Sequence, residues 1–157
     1  MKAFTLTQPW ATLVAIGAKT IETRSWRTNY RGHLAIHAAK TMGEDDFYLI
    51  QTKPFFQALE NILDLKDPRY LVKDGKVYGL PLGCVIATCE LVQCFIIHPF
   101  QSGFCPEDHS KWVITHDERS FGDYTPGRYA WILENVKPLP EPIPAKGALG
   151  LWNWDEK

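Results

Sequence analysis

Gly17-Ala18-Lys19-Thr20-Ile21-Glu22-Thr23-Arg24 places a lysine, a glutamate and an arginine within six residues, directly after a glycine that ends an apolar run. Upstream, Trp10, Leu13 and Val14 recur at helical spacing. Pro9 suits the first turn of that helix, where a missing N–H costs nothing. Gly17 suits its C-terminal end. Downstream, Thr20 to Ser25 is β-branched and alternating, which predicts a strand with Glu22 and Arg24 on one face and Ile21 and Thr23 on the other. Strict parity puts Lys19 on the second face, but it lies too close to the Gly17 turn for parity to set its direction. Charged groups are rarely fully buried unless paired. The cluster therefore asks for a ligand or for an internal network of ion pairs.

Outward from this junction the chain reads as short strands separated by glycine and proline turns. Ala3 to Leu6 alternates as a strand before the helix. After the turn Tyr30-Arg31-Gly32, residues His33 to Ala38 form another, with Leu34 and Ile36 inward and His33 and His37 opposite. Gly43 to Gln51 reads as helical. A second helix starts at Pro54, with Phe55, Phe56, Leu59, Ile62 and Leu63 on one stripe. Asp74-Gly75 predicts a hairpin turn between Tyr70–Lys73 and Lys76–Tyr78. Cys84 to Ile97 is too long to run flat without a bulge. Glu107 to Arg119 reads as helical, Tyr129 to Glu134 as an apolar strand, and Pro138 to Pro144 as a proline-rich connection to a last strand over Leu149 to Trp154. The pattern predicts one α+β domain over 1–157: a mostly β, mixed barrel with flanking helices and a helical insertion at 41–77.

The 157 residues are 45% hydrophobic and 22% charged, with a formal net charge of −1. That excludes a strongly basic nucleic-acid coat and a membrane-surface protein. The charge is uneven, because Lys19, Arg24, Arg27, Arg31 and Lys40 face only Glu22 between positions 19 and 40. Such asymmetry suggests a basic patch for an anionic ligand. No secretory segment and no apolar stretch of about 20 residues is visible. Cys84, Cys89, Cys94 and Cys105 follow no disulfide-scaffold spacing and read as reduced thiols of a cytoplasmic protein. There is no nucleophile elbow, phosphate-binding P-loop or dinucleotide fingerprint. Cys94, His98, Cys105 and His109 offer zinc chemistry, but not at a familiar finger spacing, so neither a metal nor a cofactor is expected.

Gln8-Pro9-Trp10, the G-x-K-x-x-E-x-R run from Gly17 to Arg24, Trp26, Tyr30-Arg31-Gly32 and Ile36-His37-Ala38 together resemble the ASCH domain family. The likeness continues at Gly83 to Leu91, Phe121 to Tyr124, Gly127 to Trp131 and Gly147 to Trp152. The resemblance implies a β-barrel similar to the PUA domains of RNA-modifying proteins and a nucleic-acid-binding role. Some small members are similar to an amidohydrolase acting on N4-acetylcytidine. Their motif lysine corresponds to Lys19, and where they carry a threonine this chain carries Glu22.

The reading is therefore RNA or nucleotide binding in a basic cleft around the motif. Gln8, Trp10, Lys19, Glu22, Arg24, Trp26, Tyr30, Arg31, His37, Arg128 and Tyr129 are the candidate ligand-binding residues. Trp26 and Tyr30 are the stacking candidates, since single-stranded nucleic acids bind on aromatics beside cations. Single-stranded RNA or a nucleoside is the expected partner, DNA is possible, and no membrane or defined oligomer is implied. One alternative is an amidohydrolase on N4-acylated cytidine-type nucleosides, with Lys19 and Glu22 as its catalytic residues. Another is an interaction module that binds no nucleic acid.

Overall fold

β1 (Lys2–Leu6) and β3 (Gly32–Ala38) pair in parallel, Lys2 opposite Leu34 through Leu6 opposite Ala38. Parallel pairing requires a crossover, and here the chain supplies one through α1 (Trp10–Ala15) and β2 (Ile21–Arg24). The computed structural model describes residues 1–63, 72–73, 76–77, 79–99 and 114–155. Beyond β3 come α2 (Glu44–Ile50), α3 (Lys53–Leu59), and the short antiparallel pair β4 (Val72–Lys73) and β5 (Lys76–Val77). The last elements are β6 (Cys84–Ile96), α4 (His116–Ser120), β7 (Tyr129–Pro144) and β8 (Leu151–Asn153).

Six strands form one mixed sheet in the order β2-β7-β6-β3-β1-β8. The 13-residue β6 is bent by register shifts at Val85/Ala87, Thr88/Glu90 and Leu91/Gln93 against β7. Bulges of this kind curl a sheet. The curl is enough for Arg24, at the end of edge strand β2, to donate from Nη2 to the Thr5 carbonyl of β1 at 2.8 Å. The result is the expected α+β, mostly β, barrel-like fold with flanking helices.

α1 plugs the inside of this curl. Ala11, Val14 and Ala15 join Phe4, Leu34, Ile36, Ala87, Leu91 and Trp131 in the main core. Leu13, on another side of the same short helix, packs with Ile50, Phe55, Leu59 and Phe121. The helix thus has the sheet on one side and α2 and α3 on the other, both within segment 41–77. On the sheet's other face, Trp154 covers Ala3, Ala35 and Val85. Cys84, Cys89 and Cys94 are free and buried. Desolvation, reinforced by Glu90, pushes the Cys89 thiol up to about 12.

One sequence expectation is corrected. Pro138 to Pro144 is not a connection but the second half of the 16-residue strand β7, with Pro138 opposite Ala87 and Pro144 opposite Cys84. The reason is an open edge. β2 pairs with β7 only from Tyr129 to Ile132, so beyond that β7 has β6 on one side alone. Proline is tolerated where no ladder N–H is needed. The Asp74-Gly75 turn and residues 107–113 of the expected 107–119 helix lie outside the described residues. Among the described residues no helix is long and apolar enough to cross a membrane.

The turn from α1 into β2 depends on Gly17, whose φ is +76°. Its N–H donates to Val14 O at 2.9 Å, and the Lys19 N–H donates to Leu13 O at 3.0 Å. No atom lies within 4 Å of a Cβ added here, so a substitution is opposed by backbone conformation alone. Gly17→Ala is expected to destabilise the fold by about 1 kcal/mol. In urea unfolding this appears as a lower midpoint with an unchanged m-value.

Candidate functional site

The chain leaves Gly17 in a direction that sends Lys19 inward. The side chain is 1% exposed, and its ammonium donates to the Ile21 carbonyl. Nζ also lies 3.8 Å from Glu22 Oε2 and 3.7 Å from Glu118 Oε1. Glu22 Oε1 is 2.9 Å from Arg24 Nε. Two cations and two carboxylates therefore form one connected, electrically balanced chain at the start of β2. Glu118 is its hidden member. Oε2 accepts from the Thr20 N–H at 2.8 Å and the Thr20 hydroxyl at 3.1 Å. Oε1 accepts from the Ile21 N–H and the Tyr124 hydroxyl, each at 3.2 Å. Burial, with Glu118 beside it, pushes the Tyr124 phenol well above its ordinary range.

Glu22 and Arg24 share a face, as strand parity predicts, and both border a pocket of about 470 Å³. Its other walls are Thr5, Leu6 and Thr7 of β1 and its exit, Thr23 between the two on β2, Trp10 of α1, Leu49 and Phe55 of α2 and α3, and the segment Ser120 to Asp123. Trp10 is fixed there by its indole N–H, which donates to the Phe121 carbonyl at 2.9 Å, and by edge-to-face contact with Phe55. Asp123 is oriented by the backbone N–H and hydroxyl of Thr125, at 3.0 and 2.5 Å. Those hydrogen bonds, helped by Arg128, hold its carboxyl below the ordinary value. Gly122 closes the space above Lys19. A Cβ there would lie 2.8 Å from the Tyr124 ring and 3.3 Å from Lys19 Nζ.

The structure brings Trp10, Glu22 and Arg24 together and sends other candidates elsewhere. Lys19 is beneath the site rather than lining it. Gln8 is fully buried and spends its amide internally: Nε2 donates to Pro81 O at 2.8 Å, and Oε1 accepts the Thr12 N–H at 3.1 Å. Trp26 stands edge-on against Trp131 at 4.7 Å, and Tyr30 and Tyr129 also pack on the main core. The Tyr30 hydroxyl donates to His33 O. These three aromatics cap the barrel because their rings are needed as core surface. Arg31 bonds Gln93 Oε1 at 2.8 Å and the carbonyls of Thr28 and Tyr30. Arg128 ties the Asp123 loop to β2 through Asp123 O and Thr23 O.

The expectation of one basic surface over Lys19, Arg24, Arg27 and Arg31 is therefore corrected. Lys19 is buried, and neither Arg27 nor Arg31 borders the pocket. The pocket's charged lining is Glu22, Arg24 and Asp123. Missed by the sequence reading were Glu118, Thr5, Thr7, Phe55 and Asp123. Glu118 sits in an ordinary-looking polar helix some hundred residues from its partners, so no local pattern marks it.

His37 is 2% exposed and lies in an adjoining cleft. Its Nε2 is 3.1 Å from the Ala145 carbonyl and so carries the proton, while Nδ1 has no hydrogen-bond partner. Burial lowers its affinity for a second proton, more than the Ala145 bond raises it. Cys105 and His109 lie outside the described residues. Among the described residues no three His, Cys, Asp or Glu side chains gather as metal ligands.

The family model described as the ASCH domain matches residues 4–144. The chain belongs to the ASCH domain family. It is similar to activating signal cointegrator 1 of Mus musculus, 28% identical over 150 residues, and to the same-named protein of Homo sapiens at 27%. Each alignment covers 96% of this chain but 22% of the relative, so the chain spans about a fifth of those proteins. It also resembles the crystal structure of a ZmASCH mutant protein from Zymomonas mobilis. That match has a TM-score of 0.49 and 14% identity, and covers 99% of this chain and 90% of the other.

In this ASCH domain both oxygens of Glu118 accept from donors. Glu118→Gln places an amide N–H₂ against a backbone N–H and removes charge from beside Lys19. The expected loss is about 3 kcal/mol, read as a lowered midpoint of chemical denaturation at neutral pH.

His37 makes stability depend on pH. Its folded pKa is below the unfolded value, so the unfolded chain binds the proton more readily. Stability is then full above about 6.5 and declines as pH falls below it. His37→Asn is expected to flatten this slope below neutrality in denaturation curves recorded across that window.

Proposed function

We propose that this ASCH domain binds a base of single-stranded RNA, or the corresponding nucleoside, in the pocket between Trp10 and Glu22. One observation carries the reading: a carboxylate of a buried ion-pair network borders a pocket of ligand size whose walls include Trp10, Phe55 and Phe121. Ligand pockets are typically apolar with a few fixed polar groups. Here those groups are Glu22, Asp123 and the threonines at the end of β1. Flat, apolar walls suit the face of a base. Two carboxylates in the lining suit an edge that donates, as the exocyclic amines of cytosine, adenine and guanine do. The preference expected is for amine-bearing bases over uracil.

The pocket favours binding over turnover. In the amidohydrolase alternative Lys19 must contact the substrate, yet its ammonium is engaged with Ile21 O, Glu22 and Glu118 below Gly122. The interaction-module alternative leaves the fixed carboxylates without a role.

Titration with cytidine, adenosine, guanosine and uridine, followed through the Trp10 indole NMR signal, tests the reading. Cytidine is expected to shift the signal more strongly than uridine. Glu22→Gln should weaken the amine-bearing nucleosides by roughly tenfold to a hundredfold, as for loss of a hydrogen bond to a charged group. Asp123→Asn, at an exposed position, gives the same comparison with the core network intact. No shift with any nucleoside overturns the base pocket. Release of acetate from N4-acetylcytidine overturns the preference for a binder.

A further inference from the structure

We propose that the cleft beside this pocket is a second subsite, for the phosphodiester backbone of a single-stranded RNA. The proposal rests on the base-pocket reading for its neighbour, but its own evidence is separate. The cleft has a volume of about 1060 Å³ and shares Thr5, Thr7 and Arg24 with the base pocket as a common wall. Its remaining lining comes from His37 of β3, Ala39 and Lys40 just after that strand, Leu82 and Gly83 before β6, Pro144 at the end of β7, and residues 145–150 beyond it.

Charge separates the two cavities. The base pocket is lined by two carboxylates and one guanidinium. Among the described residues the cleft is lined by Arg24, Lys40 and Lys146 and by no acidic side chain. Lys40 and Lys146 are exposed and carry no ion pair among the described residues. In a chain of net charge −1, a concave surface with three cations and no acid collects anions. Burial disfavours a charge on His37. Its unpartnered Nδ1 is nonetheless a buried acceptor in the cleft lining.

The 145–150 loop is built to stand over this cleft. Ala145 is held by its carbonyl on His37 and its N–H on Gly83 O, and the Ala148 carbonyl accepts from the Thr5 hydroxyl at 3.1 Å. Gly147 lies so close that a Cβ would be 2.6 Å from His37 Nδ1 and 2.8 Å from Thr5 Oγ1. Past these anchors Leu149 is 99% exposed. A loop tied at its base that ends in a bare leucine beside cations suits a strand whose phosphates meet the lysines while a base or ribose meets the leucine. Apolar side chains are used in this way against bases. A membrane surface would also attract lysines and leucine, but it calls for a protruding apolar face, and here the cations border a cavity next to an aromatic pocket.

The test is fluorescence anisotropy of a labelled oligocytidine of about eight nucleotides across a salt series, with cytidine titration in parallel. Lys40→Gln/Lys146→Gln is expected to reduce the slope of log K against log salt by about 1.4, or about 0.7 for each phosphate no longer neutralised. It should leave cytidine binding unchanged. Leu149→Ser should weaken the oligonucleotide without changing the slope, since an apolar contact releases no counterion. An unchanged slope in the double variant overturns the subsite while the base pocket stands. A reduced slope with no cytidine binding to the wild-type protein keeps the subsite and overturns the base pocket. Failure of the wild-type protein to bind the oligonucleotide at low salt, or binding only to phosphatidylserine vesicles, overturns the subsite.

Discussion

A lysine ammonium at 1% exposure must be neutralised in place, and the structure around β2 is organised by that requirement. An unpaired charge at such a depth costs several kcal/mol or more. Lys19 is compensated by Glu22 of the following strand β2 and by Glu118 of the sequence-distant helix α4. Glu118 in turn accepts the N–H groups of Thr20 and Ile21, so one carboxylate both balances the lysine and satisfies the open start of an edge strand. The lysine is thus a post around which the helix-to-strand junction, α4 and the loop at Gly122 are assembled. Its pairing also orients Glu22, whose other oxygen meets Arg24.

Arg24 carries this order outward. It contacts Glu22, donates to the Thr5 carbonyl and lies over the Phe4 ring at 5.6 Å. Through it the edge strand β2 is tied across the curl to β1. The same residue forms the boundary between two cavities of opposite electrostatic character. On one side Glu22, paired with buried Lys19, and the exposed Asp123 border a space walled by aromatics. On the other, flexible lysines surround a broader space. Rigid acceptors suit recognition of shape and hydrogen-bond pattern, and mobile cations suit a repeating anionic backbone.

The division between stacking and packing aromatics follows from the curl as well. Trp26, Tyr30 and Tyr129 lie among arginines in the sequence, which is the pattern of a nucleic-acid surface. In the fold they close the open end of the main core, with Trp26 edge-on against Trp131. Trp10, whose position on an apolar helical stripe favours core packing, packs against the second core and also borders the pocket. α1 is packed on both sides, and its first turn emerges where α3 and Phe121 leave a gap.

Local rules were sufficient for most of the elements. Alternation placed β1, β2 and β3, the length of β6 required its bulges, and parity put Glu22 and Arg24 on one face. Family membership was legible in the motif and its flanks for the same reason: these residues are close in sequence, and backbone geometry fixes their relation. The tertiary structure decided what depends on distant partners. Lys19 is buried because Glu118 comes to meet it, which no spacing encodes. Pro138 to Pro144 forms a strand because β2 begins only at Ile21, opposite Ile132, and leaves the rest of that β7 edge without a ladder. The cations divide between two surfaces because the sheet curls, and a curl is set by pairing between strands rather than by the order of charges along them.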